Sequence, residues 1–425
     1  MMSSPINVFQ RLARQWDRVH PYNAAQVLKI AGTADANRFA AAWHDTMDTL
    51  RLGRVCIDGS RLHYESLDGQ MGVFGVKVVE GLSLEEHISR ELNRRFDDGT
   101  EPPFRPFVIQ ESGFHYAGVV YHHWVADSVS IRNVLREWFV RVYDPQRARA
   151  EPLPLARVGY ARFFEPFTCS AATGKGLLAA ARWISALRKA RRLDLREGID
   201  LRVRFALRHF EPGWLAPVHA AARRRGVTLN DLFLAAIAVV CDRHVPTKHR
   251  PRRYALALGS IVDLRPYFGG ELSEAFGLFL GFTNVLCCPK DLRDRERLIR
   301  CIALQGEQQK RTGLAQASAL RMAAGVAIGR FVPPERLPQF YQKHLPLTGG
   351  ISNVNMNRSW ATQYHPHPLL DYVRVSPTGP MMPLVFATTT LGDGFHVALT
   401  YRPSVVPDDR IDAMTETFRE FLSAL

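Results

Sequence analysis

The stretch FHYAGVVYHHWVADSVSIRNVL, residues 114–135, joins two different apolar periodicities. Its first half is an apolar run rich in valine and aromatic residues, which predicts a β-strand that ends at the adjacent pair His122 and His123. After Asp127 the apolar residues recur at helical spacing, which predicts a helix that begins just beyond the histidines. The sequence therefore places two histidines and an aspartate at a strand-to-helix junction.

Strand geometry separates the two histidines. Neighbouring strand residues face opposite sides of a sheet, so only one of the pair can face a given cleft. His123 lies where the chain leaves the strand, and its ordinary pKa of about 6.5 suits proton abstraction near neutral pH. We therefore predict that His123 faces a cleft and that His122 is buried and structural. A purely structural, hydrogen-bonded His123 is the alternative.

Asp127 has two interpretations. It is suited to cap the following helix by accepting backbone N–H bonds. It is equally suited to be a buried carboxylate with a cationic partner, because an isolated buried charge is costly. A metal site that uses His123 and Asp127 has acceptable spacing, but no third ligand is visible nearby. No GxSxG nucleophile motif is present, which disfavours serine-hydrolase chemistry.

Length and composition are those of a globular chain with two domains or lobes, since its 425 residues are 46% hydrophobic and 23% charged. No apolar run reaches the roughly 18 residues that span a bilayer, and the amino terminus lacks a secretory-signal pattern. We therefore expect a cytoplasmic protein. The cysteines form no CxxC pair, which predicts free thiols and no zinc site.

The formal net charge of +14 indicates an anionic partner. The usual nucleic-acid-binding motifs are missing, so a phosphate-bearing cofactor or an acidic carrier protein fits better than nucleic acid. Basic residues concentrate in residues 181–196, 221–226 and 242–253. We interpret the basic helical segment 176–193 as a connecting helix; the alternative is a lid or a membrane-surface helix.

Strand and helix patterns alternate in both halves of the chain, which predicts an α/β fold of two-layer sandwich lobes. We expect a first lobe over residues 1–165, a crossover linker over 166–199 and a second lobe over 200–425. A capping box of Ser83 and Glu86 predicts one helix start in the first lobe.

The segment HHWVAD, residues 122–127, resembles the HHxxxD motif of the condensation-domain and CoA-dependent acyltransferase superfamily. The resemblance extends from about residue 20 to residue 420 and implies two chloramphenicol acetyltransferase-like lobes with an active-site tunnel between them. Further segments resemble family landmarks in the same order: PYNAAQVLKIAG (21–32), VTLNDLFLAAIAVV (227–240), VDLRP (262–266), FGLFLGFTNV (276–285) and ISNVN (351–355).

The resemblance implies roles for individual residues. His123 is similar to the histidine that takes a proton from an acceptor hydroxyl or amine as it attacks a thioester. Asp127 is similar to a structural aspartate that pairs with an arginine, here best matched by Arg265. Ser352 and Asn353 would polarise the thioester carbonyl or line the tunnel; the alternative is a polar turn.

Two positions depart from the family pattern. Ser128 stands where the family has glycine after HHxxxD, and Asn355 stands where it has the glycine of SNxG. Because serine tolerates left-handed backbone angles less easily than glycine, we expect a slightly altered loop at Ser128. The DFGWG segment of the plant branch is missing, which favours a bacterial free-standing acyltransferase.

The resemblance thus implies a metal-independent acyltransferase of natural-product or lipid biosynthesis. Its donor would be acyl-CoA or the phosphopantetheine of an acyl carrier protein, with no further cofactor, and its acceptor a small alcohol or amine. No carrier domain follows Leu425, so we expect the donor to arrive in trans. A wax-ester or diacylglycerol synthase-like O-acyltransferase and a catalytically silent binding module are the alternatives.

Overall fold

Most of the chain is described by a computed structural model, which is a mixed α/β structure with two large β-sheets. None of the helices described is long and apolar enough to cross a membrane. The structure describes residues 3–65, 75–156, 159–160, 185–194, 200–248, 250–268, 272–360, 367–379 and 382–425.

The strands and helices are numbered separately in chain order. The strands are β1 (Ser3–Pro5), β2 (Asn23–Ala31), β3 (Val55–Asp58), β4 (Arg61–Tyr64), β5 (Lys77–Val79), β6 (Phe104–Gln110), β7 (Phe114–His122), β8 (Arg192–Leu193), β9 (Arg204–Phe210), β10 (Thr247–Lys248), β11 (Leu256–Asp263), β12 (Leu280–Cys287), β13 (Gly349–Asn355), β14 (Leu369–Val375), β15 (Leu384–Leu391) and β16 (Gly394–Tyr401). The helices are α1 (Val8–Asp17), α2 (Ala36–Leu50), α3 (Leu84–Leu92), α4 (Ser128–Tyr143), α5 (Leu215–Arg225), α6 (Leu229–His244), α7 (Pro289–Leu292), α8 (Arg295–Arg311), α9 (Leu314–Gly329), α10 (Leu337–His344) and α11 (Ile411–Ser423).

The first large sheet has five strands in the order β14-β2-β7-β6-β5. Strands β2 and β7 pair antiparallel, with Asn23 opposite His122, so the histidine pair lies at one end of the sheet. Helices α2 and α4 pack together beside this sheet, where Trp43 and Trp138 meet edge to face with ring centroids 4.9 Å apart. The aromatic contact fixes α4 and therefore the chain that leads into it.

The second large sheet has six strands in the order β12-β11-β13-β15-β16-β9. Helix α6 begins at a capping box formed by Thr228 and Asp231, and its apolar residues are buried on nearly every side. It packs against α8 and α11 as well as the sheet. This all-round burial explains why its sequence is more apolar than that of an amphipathic surface helix.

Apolar packing joins the two sheets. One cluster of buried side chains combines Val27 and Val120 of the first sheet with Phe205 and Ala398 of the second, and Ile88 of α3 belongs to it as well. Burial of these side chains from both sheets holds the two lobes in contact.

Local structure follows the sequence pattern, whereas the division into lobes is more complex. The predicted strand before the histidines and the predicted helix after Asp127 are confirmed as β7 and α4. Strand β14, although it lies within residues 200–425, pairs with β2 and completes the first sheet. The two sheets are therefore not each built from one continuous part of the chain. Most of the predicted linker 166–199 lies outside the described residues.

Candidate active site

A cavity of about 160 Å³ lies where the two sheets meet. Strands β2, β7 and β14 and the start of α4 line it from the first sheet, and strands β11, β13 and β15 line it from the second. The structure brings three predicted site residues, His123, Ser352 and Asn353, to the wall of this one cavity. The cavity is therefore the candidate active site.

His123 is held in one orientation and one tautomer. Its ring stacks on Tyr22 with centroids 5.3 Å apart, and its Nδ1 lies 2.7 Å from the carbonyl oxygen of Ala126. A carbonyl oxygen only accepts hydrogen bonds, so Nδ1 must carry the proton in this contact. The lone pair of the neutral ring is therefore on Nε2, where it can accept a proton.

Burial keeps this ring neutral. It lowers the pKa of His123 to about 4, against smaller opposing effects of the Ala126 carbonyl and the Asp127 carboxylate. At neutral pH, Nε2 is therefore already unprotonated and can accept a proton as a base.

A reaction that depends on neutral His123 is expected to keep its rate at mildly acidic pH. An imidazole with the ordinary pKa of about 6.5 would lose about tenfold in active fraction between pH 7.5 and 5.5, whereas His123 stays neutral across that range. We therefore predict that the acidic limb of kcat/KM lies well below pH 5.5. A limb centred near pH 6.5 would contradict this pKa.

Circular dichroism at each pH is the control for the rate profile. The pKa of His123 is lower in the folded chain than its unfolded value of about 6.5, so between these values the unfolded chain binds more protons. Acidification through this window therefore reduces the free energy of unfolding, and rates are compared only where the protein remains folded.

Asp127 satisfies both interpretations of its sequence position. Its Oδ1 accepts the N–H groups of Val129 and Ser130, each at 3.1 Å, and so caps α4. Its Oδ2 accepts the Phe279 N–H at 2.8 Å and lies 2.6 Å from Nη1 of Arg265. A fully buried carboxylate with these four partners is a structural support rather than a base.

Arg265 ties the carboxyl-terminal half of the chain to this junction. Its Nη2 donates to the hydroxyl of Ser130 at 2.9 Å, and its guanidinium lies over the ring of Phe279 at 4.7 Å. Burial works to lower the pKa of Arg265, but the charges and hydrogen bonds of Asp127 and Asp263 together outweigh it and the pKa is raised. Asp127 and Arg265 thus form a buried, hydrogen-bonded ion pair behind the histidine.

His122 is directed away from the cavity that His123 lines. Its Nε2 lies 3.0 Å from Oδ1 of Asp17, and its Nδ1 lies 3.0 Å from Oδ1 of Asp98. Burial works to lower the pKa of His122, but the two carboxylates outweigh it and the pKa is raised. The adjacent histidines therefore have opposite environments: one is paired with acids and the other is neutral in a cavity.

Ser352 and Asn353 lie in strand β13 and not in a turn, so the turn interpretation is wrong. The strand pairs with β15 through both residues, and this pairing uses the backbone groups that a turn would bond locally. The Ser352 hydroxyl accepts a 2.5 Å hydrogen bond from Arg374, and Oδ1 of Asn353 accepts one of 2.9 Å from Thr388.

Arg374 is a cavity residue that the sequence analysis does not identify. It lies on β14, is only 3% exposed and lines the same cavity as His123. The sequence feature that could have identified Arg374 is the segment LLDYVRV, residues 369–375, in which an arginine interrupts a strand that is otherwise mostly apolar. An arginine inside such a strand needs polar partners, which makes it a candidate site residue.

Ser128 does not distort the junction. It is the first residue of α4, and Arg51 is the only non-glycine residue with positive φ in the described part of the chain. The reason for expecting an altered loop therefore does not hold, because the backbone at Ser128 is not left-handed. The Ser128 hydroxyl accepts a 3.1 Å hydrogen bond from Nε of Arg374.

Side chains suited to a metal ion lie outside the cavity. Within the described residues, two groups bring three potential ligands together, and no member of either group lines the cavity. The groups are Cys56, His63 and Glu65, and His209, Asp371 and His396.

Comparison with solved structures confirms the predicted fold of chloramphenicol acetyltransferase-like lobes. The trichothecene 15-O-acetyltransferase TRI3 of Fusarium sporotrichioides is 13% identical with a TM-score of 0.73; the match covers 99% of this chain and 94% of TRI3. Polyketide synthase associated protein 5 of Mycobacterium tuberculosis is 16% identical with a TM-score of 0.66, covering 99% and 98%. The X-domain from teicoplanin biosynthesis is 16% identical with a TM-score of 0.61, covering 99% and 94%.

Sequence comparison gives the family. A comparison with curated protein sequences finds no significant match. A comparison with protein families matches residues 12–316, more than half of the chain, to the condensation domain. This match contains the junction with His122, His123 and Asp127 as well as Arg265. The chain therefore belongs to the condensation-domain family.

Proposed function

We propose that this protein is an acyltransferase that moves an acyl group from a thioester to a hydroxyl or amine, with His123 as general base. The observation that carries the proposal is the neutral imidazole of His123, whose Nδ1 is fixed by Ala126 and whose ring lines the cavity where the sheets meet. Membership of the condensation-domain family supports the reaction class.

In the proposed reaction, Nε2 of His123 takes the proton from the acceptor as its oxygen or nitrogen attacks the thioester carbonyl carbon. The new C–O or C–N bond gives a tetrahedral intermediate. Collapse of this intermediate breaks the C–S bond, and the proton held by His123 passes to the departing thiolate. The products are an ester or amide and a free thiol, so no metal or redox cofactor is required.

Asn353 is the proposed donor to the developing oxyanion. Its carboxamide oxygen is engaged by the Thr388 hydroxyl, which leaves the amide N–H groups as donors. Loss of one such donor in other acyl-transfer enzymes typically costs about 2.7–4 kcal/mol of transition-state stabilisation.

The donor is proposed to be acyl-CoA or an acylated carrier protein. Both carry phosphate or acidic groups, which suits the net charge of +14. The cluster at 221–226 is partly neutralised, because Arg225 pairs with Glu296 at 2.8 Å. Arg250 and Arg253 carry positive charge in the cluster at 242–253. Their backbones pair in an isolated antiparallel β-bridge. A donor guided by these charges should show a KM that rises with salt.

A panel of donors tests the proposal. Purified protein is incubated with acyl-CoA thioesters of several chain lengths, or with acylated carrier proteins, and with mixed alcohols and amines. Mass spectrometry then identifies the acylated acceptor. We expect at least one donor class to give a product, with a KM that increases between low and high salt. Absence of product with both donor classes would contradict acyl transfer, and a constant KM would contradict the electrostatic role.

A binding module is the second candidate. The X-domain from teicoplanin biosynthesis shares this fold, and it is found in a complex with OxyB. A silent module would recruit a partner through the same lobes and would leave every thioester intact. The environment of His123 favours the enzyme, because a binding module does not need an imidazole kept neutral in a cavity.

A further inference from the structure

Arg374 is held at the cavity wall by neutral oxygen atoms. Its Nε donates to the Ser128 hydroxyl at 3.1 Å, and its Nη2 donates to the Ser352 hydroxyl at 2.5 Å. Its Nη1 donates to the backbone carbonyls of Ser352 at 3.3 Å and Thr388 at 3.4 Å. These contacts fix the guanidinium in place without neutralising its charge.

The positive charge of Arg374 has no anionic partner among the residues that the structure describes, since none of their carboxylates forms an ion pair with it. Burial lowers the pKa of Arg374 to about 10, so it remains charged at neutral pH. Arg132 lines the same cavity and adds a second positive charge, and the one carboxylate among the described lining residues, Asp263, pairs with Arg265 at 3.4 Å. Arg265, in contrast, has the Asp127 carboxylate at 2.6 Å. A buried charge is costly unless it is paired.

The same cluster has unused hydrogen-bond donors. A guanidinium has five N–H donors, of which four are used in the contacts described, so one on Nη2 remains. The hydroxyls of Ser128 and Ser352 accept from Arg374, and neither donates to any acceptor within the described ranges. Three donors and a full positive charge therefore remain available at one wall of the cavity.

We propose that Arg374, Ser128 and Ser352 form a carboxylate-binding site, so that a substrate of this enzyme bears a carboxylate. The proposal rests on the proposed function, because it assigns a substrate class to the same cavity. A planar carboxylate supplies both the missing negative charge and the acceptor atoms that the three donors need.

This site accounts for the departure at position 128. The family glycine has no side chain, whereas Ser128 gives Nε of Arg374 its hydrogen-bond partner and keeps one O–H donor free. Arg402 provides a useful contrast. It is also buried and is held by the carbonyl oxygens of Leu201 and Gly379, but it does not line the cavity.

A role for Arg374 in stabilising the reaction oxyanion makes a different prediction. An oxyanion donor would lower kcat for every substrate to the same extent, because each one passes through the same tetrahedral intermediate. A carboxylate site would act only on substrates with that group. Matched pairs of charged and neutral compounds therefore separate the two roles.

Binding of benzoate and benzamide tests the site without any acyl donor. We expect millimolar benzoate, but not benzamide, to raise the Tm of the wild-type protein, since the two differ in charge and not in the ring. Arg374→Gln should weaken benzoate binding at least tenfold, and Ser128→Gly should weaken it several-fold. Arg402→Gln is the matched control for loss of a buried arginine and should leave benzoate binding unchanged.

Two results would overturn the proposal. One is equal binding of benzoate and benzamide by the wild-type protein. The other is preserved discrimination in Arg374→Gln, or in Ser128→Gly should the arginine variant fail to fold. The circular dichroism spectrum of each variant establishes that it is folded before its binding is compared.

Kinetics with matched substrates identifies the molecule that carries the carboxylate. Succinyl-CoA is compared with butyryl-CoA as donor, and a hydroxy acid is compared with its amide as acceptor. The wild-type protein should prefer the charged member of one pair at least tenfold in kcat/KM, and Arg374→Gln should remove that preference mainly through KM. Transfer with no preference in either pair would refute the carboxylate site and leave the proposed function intact. Arg374-dependent benzoate binding without any transfer would refute the proposed function and leave the site intact.

Discussion

Replacement of His123 by alanine is expected to lower kcat/KM for acyl transfer by about 10²–10⁴-fold, the range typical for loss of a general base. The alanine variant has no group at the Nε2 position to take the acceptor proton. Because the His123 ring also stacks on Tyr22, some loss of stability will accompany the change. Initial rates measured with the donor from the panel, together with thermal unfolding, separate the two effects.

His115→Ala is the matched control for this experiment. His115 lies on the same strand β7, is fully buried and bonds the Gly32 carbonyl at 2.9 Å, but it does not line the cavity. Its loss should reduce stability and leave kcat/KM within about threefold of wild type. If folded His123→Ala retained more than a tenth of the activity, or if the two variants lost activity equally, His123 would not be the base.

Replacement of Asp127 by alanine is expected to reduce the free energy of unfolding by about 3–5 kcal/mol, the usual cost of breaking a buried ion pair from one side. The change leaves the Arg265 guanidinium buried without its closest anion and removes the cap of α4. Urea denaturation followed by circular dichroism measures the loss. A loss below about 1 kcal/mol would contradict the structural role of this carboxylate.

A double-mutant cycle with Arg265→Met isolates the pair from the helix cap. Both charges are absent in the double variant, so it should be less destabilised than the sum of the two single variants. We expect a coupling free energy of about 1–3 kcal/mol, the upper part of the range for residues in direct contact. Additive losses would show that Asp127 acts only as the cap of α4.

The junction that carries His123 is predictable from sequence because its determinants are local. The apolar run before His122 and the helical spacing after Asp127 each define one element, and the change between them falls at the histidines. The environments of the two histidines also follow from strand alternation, since neighbouring residues face opposite sides. Local periodicity is therefore sufficient to locate the segment that carries the proposed general base.

The rest of the cavity depends on contacts that are distant in sequence. Strand β14 pairs with β2 although the two lie more than 300 residues apart, and this pairing brings Arg374 to the wall that His123 lines. Nothing in the local pattern of LLDYVRV specifies its partner strand. The sequence pattern also does not specify the packing of the helices between β12 and β13, one of which, α9, packs against α1 near the amino terminus. Such contacts depend on the complementarity of whole surfaces.

The family resemblance adds information that local patterns lack, as Asp127 and Arg265 illustrate. The pattern around Asp127 predicts a helix cap, and only the resemblance connects it with Arg265. Ser128 shows the limit of the same approach. The family glycine suggests a left-handed backbone, but the structure places Ser128 in the first turn of α4 with its hydroxyl bonded to Arg374. The effect of serine in place of the family glycine therefore becomes clear only once its hydrogen-bond partner, Arg374, is known.

Acceptor-dependent release of thiol from the donor is the most direct test of acyl transfer by His123. Thiol release and acylated acceptor are quantified in the same time course, with and without acceptor, for the wild-type protein and His123→Ala. Our account predicts one acylated acceptor for each thiol released, no release above background without acceptor, and rates of both products that are at least about 100-fold lower in the variant. Release that is independent of the acceptor, or transfer by folded His123→Ala at more than a tenth of the wild-type rate, would contradict it.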